Sequence, residues 1–251
     1  MIDIHSHILP GLDDGAKSLE DSVAMVRMAA AAGTTDIVAS PHSNQEYAFD
    51  PETVERLIGE LQAAVGDTPR IHYGCDFHLT PENIENALHS WERYSINHKG
   101  YLLVEFSDFH IPKTTEEIFA QLMHARMRPV VTHPERNQIL QHRLQDLEAW
   151  VAQGVLMQVT AQSFLGRFGR TAKTVTHELM GRGLVHFVAS DAHDIKWRVT
   201  AMDEAHRYVA KTFGEEAAQR VFEENPRAAL SGVPLSSVPL PIRKKKWLGF
   251  W

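Results

Sequence analysis

The sequence has a single cysteine, Cys75, so no internal disulfide can form, and a lone thiol suits a reducing compartment. Positive charge is in deficit: 25 lysines and arginines face 32 acidic residues, for a formal charge of -7. A general nucleic-acid binder needs a basic face, so no nucleic-acid partner is expected. No apolar run approaches the roughly 18 residues that a membrane-crossing helix needs. The opening MIDIHSH has neither the charged nor the apolar region of a secretion signal, and a cytoplasmic protein is expected. Linkers, low-complexity tracts and internal repeats are also missing. What is present is ordinary globular composition, 43% hydrophobic and 23% charged over 251 residues, a length that fits one α/β-barrel-sized domain. Fifteen histidines stand out. Histidine is the commonest metal ligand, but abundance decides little and position has to carry the argument.

Short β-type apolar runs alternate with longer segments of helical period, the pattern of βα units around a parallel sheet. Strands are predicted near residues 2–5, 36–40, 70–74, 101–105, 129–132, 155–159 and 185–190. Ser18 with Asp21 predicts a capped helix start, and Gly33 its stop. Asp50-Pro51 and Thr80-Pro81 each place an N-cap before a proline at the first helical position. Further helices are predicted over 114–126, 144–153, 172–182, 201–213 and 215–224. The expected organisation is one barrel-like domain over 1–233 and an extended exit segment from 234. The chain finishes in Arg-Lys-Lys-Lys-Trp-Leu-Gly-Phe-Trp, residues 243–251. Cations and interfacial aromatics together suit weak contact with an anionic membrane surface; the favoured alternative is a disordered or self-packed tail.

The chemistry stands at the strand ends. The first is followed by His5-Ser6-His7 and then Asp13-Asp14, the second by Pro41-His42, the third by Gly74-Cys75-Asp76. The fourth ends in Glu105, the fifth runs into His133-Pro134-Glu135-Arg136, and the seventh into Asp191-Ala192-His193. Only the sixth, near Gln158–Gln162, offers no strong ligand. In a parallel barrel all these ends open on one face. His5, His7, Asp14, His42, Asp76, Glu105, His133, Asp191 and His193 should therefore converge. Residues two apart on an extended strand project to the same side, which explains His5-x-His7 and Asp191-x-His193. Each motif alone has a bland reading, such as a surface His-x-His or a helix-capping Asp. Together, without cations, they would leave costly uncompensated charge. A polynuclear divalent metal site follows.

MIDIHSH, LDDGAKSLEDS, SPH, YGCDF, VEFS, THPER and HFVASDAH, in this order over residues 1–230, resemble the polymerase-and-histidinol-phosphatase (PHP) superfamily. Within it they most resemble the bacterial manganese-dependent tyrosine-protein phosphatases of capsule and exopolysaccharide loci. The resemblance implies a distorted (β/α)7 barrel with three divalent metals, manganese or iron before zinc. It implies His5, His7, Asp76 and Asp191 around one metal, Asp76, Glu105 and His133 around a second, and Asp14, His42 and His193 around a third. Arg136 and Arg198 match the arginines that hold substrate phosphate. Two departures stand out: Asp76 where the family usually has Glu, and Val199 after Arg198 where prolines are usual. The implied partner is the phosphotyrosine tail of a bacterial tyrosine kinase.

The metal reading predicts phosphoester hydrolysis by metal-activated hydroxide. Two alternatives stay open, a small-metabolite phosphatase such as one for histidinol phosphate, and a non-catalytic metal-bound regulatory module. A cysteine-phosphatase mechanism is disfavoured, because Cys75 is followed by Asp-Phe-His-Leu-Thr-Pro, with neither glycines nor an arginine, and a carboxylate beside it raises the thiol pKa. Tyr47 and Phe49 are read either as lining a phosphotyrosine entrance or as packed loop anchors. His78 and His110 also follow strand ends and are read as non-ligands, since the set above already suffices for three metals.

Overall fold

The computed structural model describes residues 1–235, and within them the strands are parallel and alternate with helices. The strands are β1 (Ile2–Ser6), β2 (Asp36–Ala39), β3 (His42–Ser43), β4 (Arg70–Tyr73), β5 (Asp76–His78), β6 (Tyr101–Glu105), β7 (Arg128–Thr132), β8 (Leu156–Thr160) and β9 (Phe187–Ala189). They form two sheets, β1-β2-β4 and β3-β5-β6-β7-β8-β9. The second and third predicted strands are each broken in two. Pro41, with no N–H to donate, separates β2 from β3, and its carbonyl accepts from Asp76 N at 3.0 Å. Gly74 and Cys75 separate β4 from β5. A Cβ at Gly74 would stand 2.5 Å from Val38 Cγ1, so only glycine lets the two strands approach there. An isolated parallel bridge joins Ser6 to Ala192, and Asp191 N donates to His5 O at 2.8 Å.

The helices are α1 (Leu19–Ala31), α2 (Pro51–Val65), α3 (Pro81–His89), α4 (Thr115–His124), α5 (Leu144–Ala152), α6 (Ala161–Phe164), α7 (Gly169–Gly181), α8 (Asp203–Phe213), α9 (Glu215–Gln219) and α10 (Asn225–Ser231). Their predicted starts are the observed ones where a cap was readable. The side chains of Ser18, Asp50 and Thr80 accept from the N–H groups of Asp21, Thr53 and Asn83. The single helix predicted over 215–224 is instead α9, a π-helical turn at Arg220–Glu224, and then α10. Helix α7 starts three residues before the predicted position 172.

Strand alternation decides what reaches the face at the C-terminal strand ends. On β6, Leu102 and Val104 pack into the larger apolar cluster with the helices, whereas Tyr101 and Leu103 join a second one with Ile2, Ile4, Val130 and Phe187. Glu105 continues the Tyr101–Leu103 side. On β9, Phe187 and Ala189 lead in the same way to Asp191. On β5, Phe77 is buried in the larger cluster, so Asp76 and His78 share the opposite side. One strand face thus buries apolar side chains along its length and delivers an ionisable group at its end. The basic, aromatic tail at 243–251 lies outside the described residues.

Candidate metal centre

All nine predicted ligands stand around one centre. His5 Nε2 is 3.6 Å from Asp76 Oδ2 and 3.4 Å from Asp191 Oδ1, and His7 Nε2 is 3.4 Å from the same Asp191 oxygen. His42 presents Nδ1 to Asp76 Oδ2 at 3.0 Å and Nε2 to Asp14 Oδ1 at 3.3 Å. Asp14 Oδ1 is also 3.1 Å from His193 Nε2. His133 Nε2 lies 3.5 Å from Glu105 Oε1. Among the described residues, four groups have donor atoms close enough to share a cation: His7, Asp14, His42 and His193; His42, Asp76, His78 and Glu105; His5, His7 and Asp76; and His5, His133 and Asp191. The first matches the implied third site with His7 added. His78, set aside in the sequence reading, stands inside the second group. His110 is exposed and belongs to none of the four groups.

The residues present fit divalent cations. Both Asp76 oxygens, Glu105 Oε2, Asp191 Oδ1, His42 Nδ1, His78 Nε2 and His193 Nε2 are buried with no well-formed hydrogen bond. Buried polar atoms are rarely left so, and here each belongs to a residue of the four groups. The mixture of imidazole and carboxylate suits manganese, iron or zinc.

Without a cation the cluster's charges settle unevenly. Burial alone would lower His5, but the charges of Asp76 and Asp191 outweigh it and hold the imidazole at about 9. Burial and the Arg136 charge lower His133 to about 4, and burial with His7 lowers His193 to about 4. Asp76 and Asp191 stay well below the usual carboxylate range. Burial opposes this for each, but His5 beside Asp76, and Arg198 and Arg136 beside Asp191, prevail. His133 and Asp191 both adopt left-handed backbone, at φ 34° and 48°. Such strain, of order 1–3 kcal/mol each, is tolerated where surrounding contacts fix it. His133 N donates to Gln158 O, and Asp191 N to His5 O, each at 2.8 Å.

Two residues that the ligand set does not include hold ligands in place, and a third, Glu135, braces the segment beside Arg136. Asp13 accepts from His7 Nδ1 at 2.7 Å, from His42 N at 3.1 Å and from Gly15 N at 2.9 Å. Gly15 presses so close that a Cβ there would meet His7 O at 2.1 Å. Gln158, from the strand without a ligand, takes His5 Nδ1 on Oε1 at 2.9 Å. Both contacts orient an imidazole through its far nitrogen. Glu135 is buried under the loop carrying Arg136 and accepts from Thr160 N at 2.8 Å and Ser163 Oγ at 2.7 Å. Of these, Asp13 and Glu135 lay within readable motifs, but nothing in those motifs separates a holder from a ligand.

Arg136 and Arg198 converge. Both donate to Asp191 Oδ2, Arg198 at 2.6 Å, and the Arg136 guanidinium lies 4.2 Å from the centre of the Phe168 ring. Tyr47 is half-buried and stacks on His42, whereas Phe49 is buried against Tyr73 and Tyr94, as an anchor of the loop. Cys75 is fully buried, and burial together with Asp76 raises its thiol well above the ordinary value.

The chain is 34% identical to the tyrosine-protein phosphatase YwqE of Bacillus subtilis over the full length of both. It is 31% identical to the putative tyrosine-protein phosphatase CapC of Staphylococcus aureus over 99% of each. A crystal structure from work on YwqE and on CpsB of Streptococcus pneumoniae, described as metal-dependent tyrosine phosphatases, superposes with a TM-score of 0.88 at 33% identity, covering 97% of this chain and all of that one. The Escherichia coli phosphotriesterase homology protein shares the fold alone, at a TM-score of 0.61 and 10% identity over 91% of this chain and 98% of that one. The model of the capsular polysaccharide synthesis family CpsB/CapC matches residues 1–231, and the chain belongs to that family.

Proposed function

We propose that this protein is a metal-dependent protein-tyrosine phosphatase whose substrate is the phosphotyrosine tail of a bacterial tyrosine kinase controlling capsular or exopolysaccharide synthesis. The observation that carries the reading is the meeting of two guanidiniums, Arg136 and Arg198, at Asp191 Oδ2 beside a ring of orphaned imidazole and carboxylate donors. A phosphate monoester offers three oxygens to such donors, and a planar guanidinium grips two of them at once. Relatives that carry tyrosine-phosphatase names match the chain end to end, which supports the same activity here.

The proposed ligands are His5, His7, Asp14, His42, Asp76, Glu105, His133, Asp191 and His193, for three divalent ions with manganese or iron preferred. When bound, the metals supply Lewis acidity toward phosphate oxygens and make hydroxide available near neutral pH. Asp13 and Gln158 hold His7 and His5 with their Nε2 atoms turned to the centre. Arg136 and Arg198 orient the phosphate, and Tyr47 flanks the entering ring. Phenolate is a good leaving group and needs little protonation.

Two exposed aromatics favour a protein substrate over a metabolite. Phe109 follows β6 and is 93% exposed, and Trp197 follows β9 and is 82% exposed. Trp197 borders an open cleft of about 360 Å³ that also includes Asp14, Lys17, Met25 and His193. Large exposed aromatics beside an active face are docking points rather than walls of a closed pocket.

The two sheets are best read as one distorted seven-stranded barrel, with β2/β3 and β4/β5 as interrupted strands and the Ser6–Ala192 bridge linking β1 to the segment after β9. Residues 1–233 are then one domain. No helix of the described residues is long and apolar enough to cross a membrane, and the proposed setting is the cytoplasm.

The test is hydrolysis of phosphotyrosine peptides and p-nitrophenyl phosphate by metal-stripped protein before and after adding Mn2+. His5→Ala and Arg136→Ala run beside it. Restored peptide hydrolysis, reduced about 10²-fold or more in both variants, supports the proposal. Hydrolysis of small phosphates alone would point to a metabolite enzyme. No turnover with any metal would leave a regulatory module.

A further inference from the structure

The donor set around Asp76 and Glu105 includes an imidazole that the ligand scheme above leaves out. We infer that His78 is a further metal ligand, completing a site with Asp76 and Glu105 on the adjacent strands β5 and β6. This rests on the metal-centre reading and adds to it.

Strand β5 makes the arrangement unavoidable. Asp76 and His78 are two apart and share a side, while Phe77 between them is locked into the apolar core. The β5–β6 register sets His78 opposite Glu105, and His78 Nε2 lies against Glu105 Oε2. The other Glu105 oxygen faces His133 Nε2 at 3.5 Å. The carboxylate therefore has an imidazole at each oxygen. Donor atoms of His42, Asp76, His78 and Glu105 all lie within 4.8 Å of one another. Atoms sharing a cation at about 2.0–2.2 Å stand roughly 3–3.5 Å apart, so small rotations bring this group into range.

His42 cannot serve every metal nearby. Its Nε2 stands with His193 around Asp14, and a neutral imidazole has one lone-pair nitrogen, so Nδ1, 3.0 Å from Asp76 Oδ2 and 3.3 Å from Glu105 Oε2, then carries the proton. His133 stands at Glu105 Oε1; at Oε2 the remaining imidazole is His78, whose Nε2 is buried there without a well-formed hydrogen bond. Asp76, wholly buried with neither oxygen hydrogen-bonded, is the companion that requires a cation. The competing explanation is a plain His78–Glu105 ion pair.

Full-length protein, metal-stripped, would be titrated with Mn2+ by calorimetry, with bound manganese counted after desalting. The visible spectrum of the Co2+-loaded protein reports on the donor set directly. His78→Ala and His78→Gln are the variants, each checked for folding by circular dichroism in the metal-free form. The glutamine amide still donates to Glu105 but is a poor metal donor, so it keeps the contact and removes the ligand. A fall of about tenfold or more in affinity at one class of site in both variants, with a changed Co2+ spectrum, is expected. Wild-type affinity, stoichiometry and spectrum in both would overturn the inference, as would a loss in His78→Ala that His78→Gln restores. Wild-type protein that binds no Mn2+ would overturn the metal centre itself.

Discussion

Replacing Asp13 by asparagine tests whether the holders of the ligands matter as much as the ligands. The Asp13 carboxylate receives three N–H donors, with His7 Nδ1 and His42 N on Oδ2 and Gly15 N on Oδ1. Burial opposes its charge, yet His7 and these bonds keep it at about 2. An asparagine has only one oxygen. If that oxygen stays with Gly15, the amide NH2 faces His7 and forces the Nδ1-acceptor tautomer, which puts the proton on Nε2 and blocks it as a ligand. If it turns to His7, the Gly15 N–H is left unpaired at a cost of about 1–3 kcal/mol. In the first case Mn2+ affinity should fall about 10–100-fold, the range for loss of such a partner; in the second the loss appears in the stability of the metal-free protein. At an Mn2+ concentration of about a thousand times the wild-type Kd, stabilisation by one site drops from about 4 to about 1.4 kcal/mol for a hundredfold loss. Thermal unfolding with and without Mn2+, beside calorimetric titration, reads both numbers. Wild-type affinity in Asp13→Asn together with wild-type stability of the metal-free protein would refute the argument that Asp13 sets the His7 tautomer.

Other outcomes follow from the same geometry. In metal-free protein His5 is raised from 6.5 to about 9. Its stabilising effect is therefore full below about 6.5 and lost as pH rises through 9. Binding Mn2+ requires neutral His5, so affinity should climb between these values, and titration near pH 7.5 in buffers of different ionisation enthalpy should register proton release; a pH-independent affinity would contradict it. Buried His186 is lowered to about 4 by desolvation, with Met157 N donating to its Nδ1 at 3.1 Å. Its folded value lies below its unfolded one, so stability is lost as pH falls from about 6.5 toward 4, and His186→Gln should flatten that part of the denaturation profile. Cys75→Ala should keep peptide hydrolysis within a few-fold of wild type, and iodoacetamide should leave the folded enzyme active, because the thiol is buried and protonated. Trp197→Ala should raise KM for phosphopeptides several-fold with little change for p-nitrophenyl phosphate; equal effects on both would remove Trp197 from peptide docking.

The sequence by itself determined which residue types stand at which strand ends, because strand periodicity and helix caps are local properties. His5-x-His7, Asp191-x-His193 and the N-caps Ser18, Asp50 and Thr80 needed no knowledge of neighbours. The convergence of nine donors was legible too, since parallel strands joined by helices open their C-terminal ends on one face. Tertiary structure decided what each group does there. Gly74 is required at the β4–β5 break because it lies against Val38 of β2, a contact between segments more than thirty residues apart in sequence. The turning of His78 toward Glu105 depends on the β5–β6 register. Asp13 and Gln158 became holders rather than ligands or bystanders only through the far nitrogens of His7 and His5. Spacing along a chain fixes the side on which a group projects, whereas its partner is fixed by register between strands and by the packing beneath them, and those are properties of the assembled sheet.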